Sequence, residues 1–217
     1  MIKLKHFFKL LSGTMALFAL LSLSACGEEQ QSATAAPETP MVEKETIVWK
    51  LAQTWGTGFP IFGDAVLTMA ELVKVMSNGE LEIRVDSANK HKAALGILDM
   101  VKAGQYEMGH SASYYWKGKD ANTMFFSTMP FGMIAPEQYA WFYYGGGMEL
   151  MKNVYDKHGV YSFPGGNTGN QMGGWFRKEI NSLEDLQGLK MRVPGFAGEV
   201  LSKLGVIVTN IAPGELY

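Results

Sequence analysis

The chain predicts an α/β fold, and two observations carry that prediction. Short runs rich in β-branched and aromatic residues, one of them strictly alternating, take turns along the sequence with runs whose apolar residues recur at helical spacing. Glycine-containing stops separate one from the next, and no repeat of fixed period interrupts the order.

The elements follow from the N-terminal side of the body. Residues 46–53 (TIVWKLAQ) form a compact β-prone run, and 55–60 (WGTGFP) a loop. Over 61–77, Phe62, Ala65, Val66, Met69, Leu72, Val73 and Met76 fall on one helical stripe, which Asn78-Gly79 closes. Leu81, Ile83 and Val85 then alternate with Glu82, Arg84 and Asp86, as in a half-buried strand. A second helix is expected over 94–103, stopped by Gly104, and a third strand over 106–111. Residues 136–157 read as one long helix whose pattern is interrupted at Gly145-Gly146-Gly147. Strands at 160–163 and 189–193, a helix at 196–204, and a strand at 206–211 complete the pass. The order suggests one α/β lobe over 46–160 and the start of a second over 161–217, with a cleft between lobes as the natural ligand site. Residues 215–217 read as the opening of a helix with no stop signal, so the chain is expected to be cut inside an element; a frayed terminus is the alternative.

Residues 1–25 have the layout of an export signal. Lys3, Lys5 and Lys9 precede an apolar run over 10–23 that is short for a membrane span. The run ends in Leu-Ser-Ala-Cys, where Cys26, the only cysteine, resembles the lipidated residue of a bacterial lipoprotein; an ordinary cleaved signal is the alternative. Residues 26–45 are rich in Glu, Gln, Ser, Ala and Pro and predict a flexible tether between a lipid-anchored end and the body. The net charge is −2, and removing the signal takes away three lysines and no acid. A mildly acidic body argues against nucleic acid as a partner.

Little in the sequence points to catalysis. The histidines are His6, His91, His110 and His158. His91 lies in a charged stretch expected to be solvated, and His158 at a helix end. Only His110, in Gly-His-Ser-Ala-Ser, looks semi-buried and could activate Ser111 or Ser113 in a lipid-anchored hydrolase. No paired-His metal motif, GxSxG or phosphate loop is present. Binding is better supported. Tyr114-Tyr115-Trp116 follows a strand, where α/β folds place ligand-facing loops, and three aromatics before Lys-Gly-Lys are hard to bury completely. Tyr115 and Trp116 are the candidate cleft wall, although core packing is the common role of such rings. Arg192 sits in an apolar strand before Pro-Gly; its guanidinium either pairs with Glu184, Asp185 or Glu199 or grips an organic anion from outside. Gln171, framed by glycines, offers a carbonyl oxygen to a hard cation or serves only as a loop hydrogen-bonder.

The stretches MPFGMIAPEQYAWFYYGGGMELM (129–151), GNTGNQMGGWFRKEI (166–180) and SLEDLQGLKMRVPGFAGEVLSKLG (182–205) together resemble the substrate-binding subunit of TRAP transporters. The resemblance spans 46–217 and is closest to the branch that binds 2-oxo acids and related monocarboxylates such as pyruvate or lactate. It implies a two-lobe, periplasmic-binding-protein-like (type II) α/β fold with no catalytic cofactor. The protein would be extracytoplasmic, closing on a small organic acid and docking on the TRAP membrane permease. A sensing or docking lipoprotein on the same fold is the alternative. In such proteins the arginine of LKMRVPG, here Arg192, holds the substrate carboxylate. The glutamine of NQMGGW, here Gln171, joins a sodium or calcium ion that bridges to the substrate, and an aromatic of the SASYYW segment, assigned to Tyr115 with Trp116 beside it, lines the site. Family chains run well past residue 217, so the second lobe is expected to be incomplete here.

Overall fold

A computed structural model describes residues 45–216. The signal segment 1–25, Cys26 and all but the last residue of the tether 26–45 lie outside the described residues.

Two parallel sheets organise the chain. The first joins β1 (Ile47–Gln53), β2 (Leu81–Asp86) and β3 (Met108–His110) in the order β2-β1-β3. Ile47 pairs with Leu81 and Ala52 with Asp86 on one side of β1, and Gln53 pairs with His110 on the other. The second, two-stranded sheet joins β4 (Lys190–Arg192) and β5 (Ile207–Thr209), with Arg192 opposite Thr209. Parallel neighbours need crossovers, and helices supply them: α1 (Phe62–Met76) between β1 and β2, α2 (Ala88–His91) and α3 (Ile97–Lys102) between β2 and β3, and α6 (Gly195–Lys203) between β4 and β5. Between the sheets run α4 (Ala135–Tyr144), α5 (Gly147–Tyr155) and short 3-10 turns at Ser113–Trp116 and Ala121–Phe126.

The core is built on the two faces of the first sheet. Consecutive residues of a strand point to opposite sides. Leu51 accordingly packs with Val66 of α1 and Ile83 of β2, while Ala52 packs with Ile97, Leu98, Phe142, Met151 and Tyr155. Gly109 lets α3 lie on β3, because a Cβ there would stand 2.5 Å from Ile97 Cγ2.

Three elements differ from the sequence reading. The helix expected over 94–103 starts at Ile97; α2 precedes it and ends at His91, after which Lys92, with a φ of 60°, turns the chain. The helix expected over 136–157 is two helices. Gly146 takes a φ of 82° between them, and a Cβ on Gly147 would meet the Trp141 ring at 2.8 Å. The strand expected at 160–163 does not form: Tyr161 and Phe163 are 79% and 72% exposed, with no strand of the described residues beside them. Asp86, placed on the polar side of β2 by alternation, is buried. Burial pushes its carboxyl up, but Lys90 Nζ at 2.6 Å and Tyr106 OH at 3.0 Å outweigh this and hold it below the usual range.

Candidate binding site

Arg192 ends β4, and the chain then turns through Pro194 into α6. Gly195 takes a φ of 67°, and a Cβ there would come 3.1 Å from Tyr114 Cβ, so the turn after Arg192 packs directly on the Ser113–Trp116 turn. That packing brings Arg192 to Tyr115. The half-buried guanidinium donates from Nε to the Ile211 carbonyl at 3.0 Å and from Nη2 to the Tyr115 hydroxyl at 3.0 Å. Both acceptors are neutral.

The carboxylates that could have paired with Arg192 are engaged elsewhere. Glu199 pairs with Lys117. Asp185 accepts the backbone N–H groups of Asn181 and Ser182 at 3.0 and 3.1 Å and lies 3.8 Å from Lys178. Glu184 is held below its ordinary range by its own backbone and by Ser182. Arg192 is thus a fixed cation with no carboxylate partner among the described residues. Two of its N–H groups are engaged, and the rest of the five-donor fork is left for an acceptor from outside.

A cavity of about 410 Å³ lies alongside, lined among others by Tyr114, Tyr115, Val193, Pro194, Glu199 and Asn210. Tyr114 stands edge-on to Tyr115 at 4.6 Å, and burial raises its phenol above the ordinary value. Trp116 points the other way. It is 9% exposed, belongs to the core and meets Tyr155 edge-on at 5.9 Å, so it is not part of the open wall. Successive residues of a 3-10 turn point about 120° apart, which sends neighbouring rings in different directions. Tyr114, which sequence reasoning passed over in favour of Trp116, takes the wall position; the adjacency Tyr-Tyr was the only signal for it. The Ile211 carbonyl carried no signal at all.

Gln171 lies apart from the cavity, on an exposed loop, and donates from Nε2 to Thr168 Oγ1 at 3.3 Å. That bond leaves its carbonyl oxygen open, the kind of hard ligand that sodium or calcium accepts. Among the described residues no group of three or more His, Cys, Asp or Glu side chains could hold a metal.

The histidines do not assemble a catalytic group. Burial pushes the His110 imidazole down to about 4, and its Nδ1 has no hydrogen-bond partner among the described residues. Ser111 Oγ is bonded to Thr54 Oγ1 at 2.6 Å, and His110 bonds neither Ser111 nor Ser113. His91 is not solvated as its charged neighbours suggested. Its Nδ1 accepts from the Ala93 N–H at 3.1 Å, which leaves Nε2 to donate to the Gln53 carbonyl at 3.0 Å. His158, at the helix end expected for it, lies 3.4 Å from Asp120.

The fold is mixed α/β, and it sets an arginine without a carboxylate partner among the described residues beside a cavity walled by Tyr114 and Tyr115. Residues 51–217 match the bacterial extracellular solute-binding protein family 7 (DctP), and the chain belongs to that family. Its mixed α/β architecture matches structures of TRAP periplasmic solute-binding proteins, which have the two-lobe type II fold. A TRAP periplasmic solute-binding protein of Pseudoalteromonas atlantica, solved with bound sodium and pyruvate, is 74% identical with a TM-score of 0.78, over 80% of this chain and 53% of that one. A second, of Colwellia psychrerythraea, solved with calcium and pyruvate, is 75% identical with a TM-score of 0.78 over the same shares. A monocarboxylate 2-oxoacid-binding periplasmic protein of Nostoc sp. is 44% identical over 169 residues, 78% of this chain and 46% of that protein. The chain thus spans about half the length of these relatives.

Proposed function

We propose that the protein is the extracytoplasmic solute-binding component of a TRAP-type transporter. It captures a small 2-oxo or 2-hydroxy monocarboxylate, such as pyruvate or lactate, between an α/β lobe over 46–160 and a second begun by 161–217, and delivers it to the membrane permease. The observation that carries this reading is Arg192: a half-buried cation oriented by two neutral acceptors and given no carboxylate by its neighbours. Leaving such a charge unpaired is unfavourable unless an anion arrives. The pyruvate bound in two relatives of about three-quarters identity supports the choice of anion.

In this reading Arg192 grips the carboxylate and Tyr115 holds the guanidinium in place while walling the site. Gln171 contributes its carbonyl oxygen to a sodium or calcium ion, which would neutralise charge and orient the ligand. Trp116 supports Tyr115 from the core side. The protein works in the periplasm. Attachment there through a lipid on Cys26 rests on residues 23–26 alone, and the mass of the mature N-terminus tests it.

The deciding experiment is thermal unfolding of the full-length protein with pyruvate, lactate and longer 2-oxo acids, with and without sodium or calcium. A hundredfold excess over the dissociation constant should stabilise by about 2.7 kcal/mol. A flat response to every organic acid would overturn the proposal.

A further inference from the structure

The Lys117-Gly118-Lys119 turn has no part in the reading above, yet it lies between the two sheets' neighbourhoods. On one side Lys119 Nζ pairs with Asp99 of α3 at 2.7 Å. On the other Lys117 pairs with Glu199 of α6. Both Lys117 and Glu199 line the cavity beside Arg192. Two further contacts run along the same seam: Tyr114 against Gly195, and Phe125 against Phe196 with ring centroids 5.0 Å apart. The segment carrying Tyr114 and Tyr115 therefore meets α6 through the Tyr114 side chain against Gly195 and one ion pair, the next turn adds the Phe125–Phe196 ring contact, and of these only the ion pair is charged.

We infer that Lys117 and Glu199 are a positioning pair: a latch across the cavity rim that keeps Tyr115 on the Arg192 guanidinium and sets how long the captured anion stays. The inference rests on the binding role proposed for Arg192. Separating α6 from the Ser113–Trp116 turn must break Lys117–Glu199, whereas Lys119–Asp99 moves with the turn and stays whole. The two lysines, separated by Gly118, thus have different jobs. Lys119 ties the turn to the first sheet's helices, and Lys117 ties it to the element behind Arg192. An exposed ion pair adds little to folding, but a charge pair that must part for ligand to leave acts on the dissociation rate.

The test is pyruvate release from the full-length protein, followed by stopped-flow tryptophan fluorescence. Lys117→Glu and Glu199→Lys should each speed release about five- to thirtyfold, since each replaces attraction by repulsion. The double swap should return release close to the wild-type rate, and Lys117→Arg should leave it unchanged. Lys119→Glu should not alter release. High salt should move the wild type toward the single variants. Single variants that release at the wild-type rate, or a swap no slower than the singles, would overturn the latch while leaving the pyruvate reading standing. A wild-type protein that gives no pyruvate signal would instead sink the binding reading, and the latch with it.

Discussion

The two sheets do different work. The first carries nearly all of the buried apolar residues: Leu51, Ala52, Ile83, Ile97, Leu98, Phe142 and Tyr155 are each under a tenth exposed. Around the second, Val206 and Ala212 are buried, but Ile207 and Val200 are 50% and 52% exposed. Buried apolar area is the main stabilising term, so stability resides in the first sheet. The second sheet presents Arg192, and the tyrosine that steadies it comes from the first sheet's side. On the binding role proposed for Arg192, stability and affinity should be separable by mutation, with the seam between the regions where they meet.

The sharpest division comes from Arg192→Ala. It should abolish the thermal response to pyruvate while the ligand-free unfolding midpoint stays near wild type; a variant that still responds removes the site assignment. Ile97→Ala should do the reverse. It empties a site 1% exposed and should lower stability by about 2–5 kcal/mol in urea titration. Pyruvate affinity, read on the folded fraction, should hold.

A third probe uses acid. His110 is neutral in the folded protein, with burial pushing it down to about 4 from an ordinary 6.5. Between those values the unfolded chain binds the proton and the folded chain does not. Stability from this group is therefore complete above about pH 6.5 and falls as the pH drops toward 4, by on the order of 3 kcal/mol in all. His110→Gln should flatten that part of the stability profile measured by urea titration at several pH values. An unchanged slope would show that the imidazole is not held neutral. Gly198→Ala, in α6, should be milder, about 1–3 kcal/mol, because its Cβ would meet the Val193 carbonyl at 2.5 Å and push the turn behind Arg192. If the regions are coupled as the seam suggests, this variant should also weaken pyruvate binding. Gln171→Ala should be the least disruptive, leaving unfolding unchanged and reducing only the sodium or calcium dependence of binding, as calorimetry would read.

Much of the first sheet was legible because period and burial coincide there. Leu81, Ile83 and Val85 alternate as β2 requires, and the α1 stripe places Val66 on the core. The break between α4 and α5 was visible as three glycines: Gly146 takes the left-handed φ of 82° that ends one helix and starts the next, and Gly147 leaves room for the Trp141 ring. The run at 160–163 shows the limit of propensity: a strand needs a neighbour, and a β-prone sequence without one stays irregular. In the candidate site, the lack of a carboxylate partner for Arg192 was legible because a lone cation in an apolar run is chemically conspicuous. Trp116 was not, since the direction of each ring in Tyr-Tyr-Trp depends on how the turn is wound and on Tyr155 waiting beneath it. The pairing of Arg192 with a main-chain carbonyl 19 residues later leaves no trace in side-chain identity.

That carbonyl has a consequence of its own. With Nε held by Ile211 and Nη2 by Tyr115, the guanidinium is aimed before any solute arrives, so capture need not freeze a long, floppy side chain. Pyruvate has only six non-hydrogen atoms, and the best tiny ligands reach about 1.5 kcal/mol per atom, roughly 9 kcal/mol in all. Sub-micromolar scavenging from dilute surroundings lies within that ceiling only when almost none of the interaction is lost to ordering the receptor. If pyruvate is the solute, as proposed, a pre-aimed arginine is how so small a molecule would be held that tightly.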